Sequence, residues 1–327
     1  MATHPITGIG NVRSVTKRDD GVEVQCDAGR VRVTVLSDTI VRVRATQATQ
    51  FGPDFSYAIA KTKWAKVKWD CRRDDGQHIL RTKRVAVRIE TAPLRIHWER
   101  PDGTALNADR GIEWEGPKCR WKRSLAADEM FFGCGEKTGQ FNKRGEVFAN
   151  WNTDNPSHTY LNGEVYVSIP FLISTRPGAH YGIFFDNSHR TLFNLGRVPD
   201  EQHYFLEADA GEVDAYFFAG NSVRDIVRGY TELTGRMWLP PKWALGFQQC
   251  RWSYMSADEV LTVATKLRAE KIPCDVIYCD IDYMDGYRVF TWNPKTFAKP
   301  KEFIQKLKKH GFRLVTIIDP GVKNDDE

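Results

Sequence analysis

The 327-residue chain has no apolar run approaching the ~20 residues that a membrane-spanning helix needs. Its first residues lack a basic segment followed by an apolar core, so the sequence predicts no secretory signal peptide. The 47 basic and 42 acidic side chains give a net charge of only +5, and the two signs are interspersed. We therefore expect neither a membrane nor a nucleic acid as partner.

Metal-binding and nucleophile motifs are also missing. The seven cysteines are odd in number and irregularly spaced, and no Cys-x-x-Cys occurs. We expect free, buried thiols in a reducing compartment, the cytoplasm, with no zinc site and no cofactor. No Gly-x-Ser-x-Gly is present, and the glycine-rich segment 132–139 lacks the spacing of a phosphate loop.

Aromatic residues and alternating patterns are abundant in the first two thirds of the chain. The 18 Phe, 11 Tyr and 10 Trp provide material for a large core. Apolar and polar residues alternate over 21–26, 30–36 and 94–98, and turn residues separate these segments. Frequent short strands with one buried face predict an antiparallel β-sandwich over residues 1–220.

The pattern changes after residue 220. Ser222 caps a predicted helix, and the helix together with a proline break forms a predicted linker over 221–240. From 241 to 327, the strands predicted at 244–247, 276–281 and 314–318 alternate with two helices, which is typical of parallel β/α units. A closed eight-unit barrel needs ~250 residues, so we expect a truncated barrel.

The densest candidate for chemistry is the acidic segment 280–286 at the end of the second parallel strand. Ligands bind at this end in α/β folds, and an ionised Asp280 accepts hydrogen bonds from adjacent sugar hydroxyls. Helix capping is the simpler alternative. Asp280-x-Asp282 also matches the metal clamp of sugar-nucleotide transferases, but no nucleotide-binding loop accompanies it. Asp319 follows the third strand at the same end.

Two further segments combine aromatic and polar residues. The first parallel strand leads into Trp252 and Tyr254, which are candidates either for stacking on a sugar or for core packing. Arg251 in the same segment is a candidate for neutralising the neighbouring carboxylates. In the sandwich, the polar loop 150–156 either binds a ligand or bonds to itself.

Four segments together resemble glycoside hydrolase family 31, the α-glucosidase family: 132–139, 150–154, 241–254, and 280–285 running on to 321. The resemblance implies a galactose-mutarotase-like β-sandwich followed by a (β/α)8 TIM barrel. It also implies that Asp280 binds hydroxyls of the sugar at the cleavage subsite. Trp252 and Ile281 are then walls of that pocket, and Asp154 reaches the same sugar from the sandwich loop.

The family's retaining mechanism uses an Asp nucleophile and a separate acid/base carboxyl group. The nucleophile motif, Trp-x-Asp-Met-Asn-Glu, occurs nowhere in the chain, so we assign no catalytic residue. We expect an inactive N-terminal part of an α-glycosidase that acts on α-glucosides or oligosaccharides. The alternative is a non-catalytic carbohydrate-binding sandwich with a vestigial α/β tail. The sequence predicts no oligomeric state.

Overall fold

A computed structural model of the chain describes residues 4–160, 164–197 and 202–325. The chain divides into two compact units, Met1–Arg236 and Met237–Glu327. β-Sheets make up most of the regular structure of the described residues, with few helices. No helix within these residues is long and apolar enough to cross a membrane.

The first unit is built from strands β1 to β18. The first nine are β1 Ile6–Gly8, β2 Val12–Arg18, β3 Gly21–Cys26, β4 Gly29–Val35, β5 Ile40–Thr46, β6 Asp70–Asp74, β7 Gln77–Arg81, β8 Ala86–Thr91 and β9 Leu94–Glu99. The next nine are β10 Ala105–Glu115, β11 Lys118–Ser124, β12 Met130–Gly135, β13 Val147–Asn150, β14 Ser168–Arg176, β15 Ala179–Phe185, β16 Thr191–Asn194, β17 His203–Ala208 and β18 Val213–Gly220.

These strands form two antiparallel sheets. The first has the order β13-β16-β17-β11-β10-β9-β8-β7-β6, with β1 also paired to β10, and the second has the order β12-β14-β15-β18-β5-β4-β3-β2. Their inner faces share one core, in which Trp98 of the first sheet stacks on Phe217 of the second at 4.0 Å. Predicted strands at 21–26, 30–36 and 94–98 are confirmed as β3, β4 and β9. The alternation of apolar and polar residues predicts these three strands correctly because each of them buries only one face.

Helix α1, Val223–Thr234, covers the opposite face of the second sheet. Ser222 caps it as predicted, since its hydroxyl accepts a hydrogen bond from the Asp225 N–H. Ile226 and Leu233 are buried against the sheet, and Tyr230 stacks on Phe171 at 3.8 Å. The helix therefore packs on the sandwich, although the predicted linker 221–240 includes it. The predicted boundaries 1–220, 221–240 and 241–327 stay a prediction.

The second unit contains β19 Gln248–Gln249, α2 Ala257–Ala269, β20 Val276–Cys279, α3 Pro300–Lys309 and β21 Arg313–Thr316. The strands are parallel in the order β19-β20-β21. At the start of α2 the Ser256 hydroxyl accepts from the Glu259 N–H at 3.2 Å, and the Glu259 carboxylate accepts from the Met255 N–H at 2.7 Å. This reciprocal capping defines where the helix begins.

Two details of the predicted strands are wrong. The segment 244–247 is not a buried strand, because the chain forms a 3-10 turn at Lys242–Leu245 and leaves Leu245 68% exposed. Gly246 allows the close approach that follows, since a Cβ there would lie 1.7 Å from Asp275 Oδ2. The strand predicted at 276–281 ends at Cys279, because Asp280 caps a second 3-10 turn.

Candidate functional site

The carboxyl ends of the three parallel strands bring the acidic segment beside the segment that follows β19. Cys250 comes directly after β19, and Asp280 directly after β20. Partial burial and the nearby Asp280 carboxylate together raise the pKa of the Cys250 thiol. Asp280 is therefore close enough to the end of β19 for its charge to act there.

Asp280 has unused capacity to accept hydrogen bonds. Its side chain is half-buried, and Oδ1 accepts from the backbone N–H of Ile281 at 2.8 Å. This contact orients the carboxylate at the start of the Ile281–Tyr283 turn. Within the described ranges, Oδ2 has no hydrogen-bond partner. The carboxylate thus combines the capping role with a free acceptor oxygen, which suits a neighbouring hydroxyl group.

Asp282 is engaged differently. Its Oδ1 accepts from the Tyr287 hydroxyl at 3.1 Å. This hydrogen bond and the charge of Asp282 raise the pKa of Tyr287. Among the residues that the structure describes, no group of three or more His, Cys, Asp or Glu side chains is placed to hold a metal ion.

A cavity of about 260 Å³ lies between the segments that follow β20 and β21. Its lining includes Ile281, Met284, Tyr287, Asp319, Val322 and Lys323. Two hydrogen bonds connect these two segments: the Tyr283 hydroxyl donates to the Ile317 carbonyl at 2.9 Å, and Lys323 Nζ donates to the Gly286 carbonyl at 2.9 Å. Ile281 and Asp319 therefore line one cavity, as expected for residues at neighbouring strand ends.

The two aromatic residues after β19 have different environments. Trp252 is 78% exposed, so its ring is available for stacking on a ligand. Tyr254 is buried in the core of the unit, and its hydroxyl accepts from Gln249 Nε2 at 2.9 Å. Core packing is therefore the role of Tyr254. The Arg251 guanidinium lies 5.8 Å from the Tyr254 ring centre.

The sandwich loop 150–156 is described by itself, because it belongs to the other compact unit. Its Asp154 is exposed. Partial desolvation, a hydrogen bond to Asp154 and the charge of Asp154 raise the pKa of Tyr166. Asn152 Oδ1 accepts from the Ser168 N–H at 2.8 Å, while Trp151 is 51% exposed. The loop thus bonds partly to its own unit and still presents a carboxylate and an indole to solvent.

The tyrosines that position these carboxylates are not among the candidates that the sequence predicts. Tyr287 contacts Asp282 from five residues away, and Tyr166 contacts Asp154 across a loop. Neither tyrosine stands in a strand or helix pattern, so only the folded loops reveal the pairings.

Comparison with known families gives two matches. Residues 30–194, just over half of the chain, match the glycosyl hydrolase 31 N-terminal galactose mutarotase-like domain. Residues 237–327 match the glycosyl hydrolases family 31 TIM-barrel domain. The two matches follow the same order as the two compact units.

Individual relatives agree with the family models. Alpha-glucosidase 2 of Bacillus thermoamyloliquefaciens is 38% identical over 99% of this chain and 41% of its own length. An alpha-glucosidase of Saccharolobus solfataricus is 32% identical over 65% of this chain and 31% of its own length. The chain therefore spans less than half the length of these relatives.

Solved structures give the same result. A Flavobacterium johnsoniae GH31 dextranase, a mutant complexed with isomaltotriose, has a TM-score of 0.86 and 32% identity over 95% of this chain and 38% of that protein. A glucosidase II alpha subunit, at 22% identity and a TM-score of 0.79, shares the fold. On these matches, the chain belongs to glycoside hydrolase family 31.

Proposed function

We propose that the chain is the N-terminal part of a retaining α-glycosidase of the α-glucosidase type, and that it contributes sugar-binding residues. The observation that carries this proposal is the half-buried Asp280 carboxylate, whose Oδ2 is free of partners within the described residues at the end of β20. This strand lies in the segment that matches the family's TIM-barrel domain. The carboxyl ends of parallel strands are where such barrels bind substrates.

In this proposal, Asp280 accepts hydrogen bonds from hydroxyls of the sugar at the cleavage subsite. Charge-assisted O–H···O⁻ bonds are short and strong, and one carboxylate accepts from two adjacent hydroxyls. The contact to the Ile281 N–H restricts the carboxylate before the sugar arrives. Binding then costs less side-chain entropy than it would for a freely rotating aspartate.

The other proposed contacts define the shape of the subsite. The exposed Trp252 ring provides a flat apolar surface for the C–H face of a sugar, and Ile281 lines the cavity at the end of β20. The family resemblance implies that Asp154 contacts the same sugar, and its carboxylate is exposed on a loop of the sandwich unit. These roles rest on the family resemblance together with the local exposure of each side chain.

We assign no catalytic residue to this chain. Retaining glycosidases need a nucleophile and an acid/base carboxyl about 5–5.5 Å apart. Asp282 accepts a hydrogen bond from Tyr287, and Asp319 is exposed after the third strand. The sequence around neither residue matches the family's nucleophile motif. Cleavage of the glycosidic bond is therefore assigned to carboxylates outside these residues.

The proposed substrate is an α-glucoside or an α-linked oligosaccharide. Two relatives are named as alpha-glucosidases, and the dextranase structure contains isomaltotriose. The proposed compartment is the cytoplasm, on the ground that the seven cysteines are free and five of them are buried. A stand-alone carbohydrate-binding sandwich is disfavoured by the barrel match over 237–327.

Hydrogen–deuterium exchange with isomaltotriose tests the sugar-binding role. We expect the sugar to slow exchange in peptides covering 276–291. In the variant Asp280→Asn, the apparent affinity for the sugar, measured from this protection, should fall at least about tenfold, because the substitution removes a charged acceptor.

Asp285→Asn is the matched control, since Asp285 is exposed and its described hydrogen bonds involve only its backbone: its N–H donates to Thr291, and its carbonyl accepts from Arg288. We expect it to bind as the wild type does. Equal binding by Asp280→Asn and Asp285→Asn would remove Asp280 from the site.

A further inference from the structure

A separate cleft of about 780 Å³ lies in the sandwich unit, between the second sheet and the segment 51–69. This segment contains neither helix nor strand. The sheet contributes Thr34, Arg42 and Tyr216 to the lining, and α1 contributes Leu233. The cleft is therefore on the face of the sheet that α1 covers, away from the sandwich core. Its volume falls within the about 300–1,000 Å³ typical of ligand sites.

The arginines of this cleft are already paired with carboxylates. Arg42 Nη2 lies 2.7 Å from Asp214 Oδ2, and Arg44 Nη2 lies 2.7 Å from Glu212 Oε2. Arg42 Nη1 also binds Asp54 at 2.7 Å. These bonds fix the two guanidinium groups and compensate their charges, while the charges without an ion pair among the described lining residues, those of Lys66, Asp19 and Asp20, are of both signs. A neutral ligand that both donates and accepts hydrogen bonds suits such a lining.

Aromatic side chains provide the apolar part of the cleft. Phe55 lines it and is 69% exposed, so its ring is accessible to a ligand. Trp64 and Trp69 line it too, and both also line a neighbouring cavity of about 740 Å³. The exposed Phe55 ring and the half-buried Trp64 and Trp69 rings give the cleft an apolar surface for the C–H face of a ligand that also has hydroxyl groups.

Hydrogen-bonding groups remain available at the cleft. Asp19 and Asp20 line the cleft, and neither makes an ion pair in the part of the chain that the structure describes. These carboxylates are acceptors for ligand hydroxyls.

We propose that this cleft is a second saccharide site, which binds a short neutral oligosaccharide through Phe55, Trp64 and the carboxylates of Asp19 and Asp20. The choice of a neutral α-glucan as ligand rests on the proposed function. All residues that line the cleft belong to the sandwich unit, and none of them is assigned to the strand-end site. A second site of this kind keeps an α-glucan bound to the protein and raises the local concentration of substrate at the strand-end site.

Hydrogen–deuterium exchange of the full chain, with isomaltotriose as the probe, tests this site. We expect the sugar to slow exchange in peptides covering 51–69, with millimolar affinity. Phe55→Ala should lower the apparent affinity measured from this protection about tenfold, and Asp20→Asn should lower it by a similar factor. Both side chains are exposed, so neither change opens the core. Phe141→Ala is the control, since Phe141 is 86% exposed and does not line the cleft.

This experiment tests the two proposed sites separately. Protection over 51–69 that persists in Asp280→Asn supports the cleft even if 276–291 shows none. Protection over 276–291 alone overturns the cleft and leaves the proposed function standing. No protection over 51–69 in the wild type overturns the cleft, and so does equal weakening by Phe55→Ala and Phe141→Ala.

Discussion

Ile226 holds helix α1 on the second sheet, and truncating this side chain tests how the sandwich unit is built. The side chain is fully buried. A Cβ built on Gly182 would lie 2.5 Å from Ile226 Cγ2, and one built on Gly220 would lie 2.7 Å from Cδ1. Ile226 therefore fills a notch whose walls are the backbone of β15 and β18.

The structure sets the size of the expected loss. Burying less apolar surface and leaving a cavity costs about 2–5 kcal/mol for an Ile→Ala change. Backbone in paired strands does not relax into a void as side chains do, so the cost belongs in the upper half of that range. We expect Ile226→Ala to lower the free energy of unfolding of the sandwich unit by about 4 kcal/mol.

Urea unfolding followed by near-ultraviolet circular dichroism measures this loss, because the sandwich core contains most of the buried aromatic rings. Val227→Ala is the matched control: Val227 is on the same helix, is 40% exposed, and should cost less than about 1 kcal/mol. Equal losses in the two variants would refute the packing argument and would return α1 to the predicted linker 221–240.

Two further predictions concern pH and activity. Burial raises the pKa of Asp109 to about 6 from the ordinary value of 3.8 for an aspartate. Protonation of Asp109 therefore stabilises the folded state fully below pH 3.8, and this stabilisation is lost as pH rises through about 6. Between about pH 3 and pH 7, the free energy of unfolding of the wild type should fall by about 3 kcal/mol more than that of Asp109→Asn. Urea unfolding at each pH measures this difference. Parallel plots of unfolding free energy against pH for the two proteins would contradict the prediction. The 327-residue chain should not hydrolyse p-nitrophenyl α-glucoside above the uncatalysed rate, whereas turnover abolished by Asp280→Asn would give that aspartate a catalytic role.

The regular elements followed from local physical rules. Val22 and Val24 alternate with Glu23 in β3, and burial of one face explains the pattern completely. The capping groups of Ser222 and Ser256 lie within four residues of the N–H groups they bind, so the helix starts were predictable. Such contacts depend on sequence neighbours, which a single sequence contains.

The missed details depend on contacts between distant segments. Gly246 lies against Asp275, which comes 29 positions later, and this approach replaces the predicted strand by a turn. The Tyr283 hydroxyl reaches the Ile317 carbonyl on the segment after the next strand. Ile281 shares a cavity with Asp319 for the same reason. Periodicity contains no information about such pairs, because they are decided by the folded backbone.

A crystal structure of the chain with isomaltotriose tests the central claim most directly. We expect a sugar hydroxyl at about 2.7 Å from Asp280 Oδ2, with the sugar ring beside Trp252 and Ile281. A sugar bound in the chain with Asp280 Oδ2 still unpartnered would contradict the account, because the free acceptor oxygen at the end of β20 is the observation on which it rests.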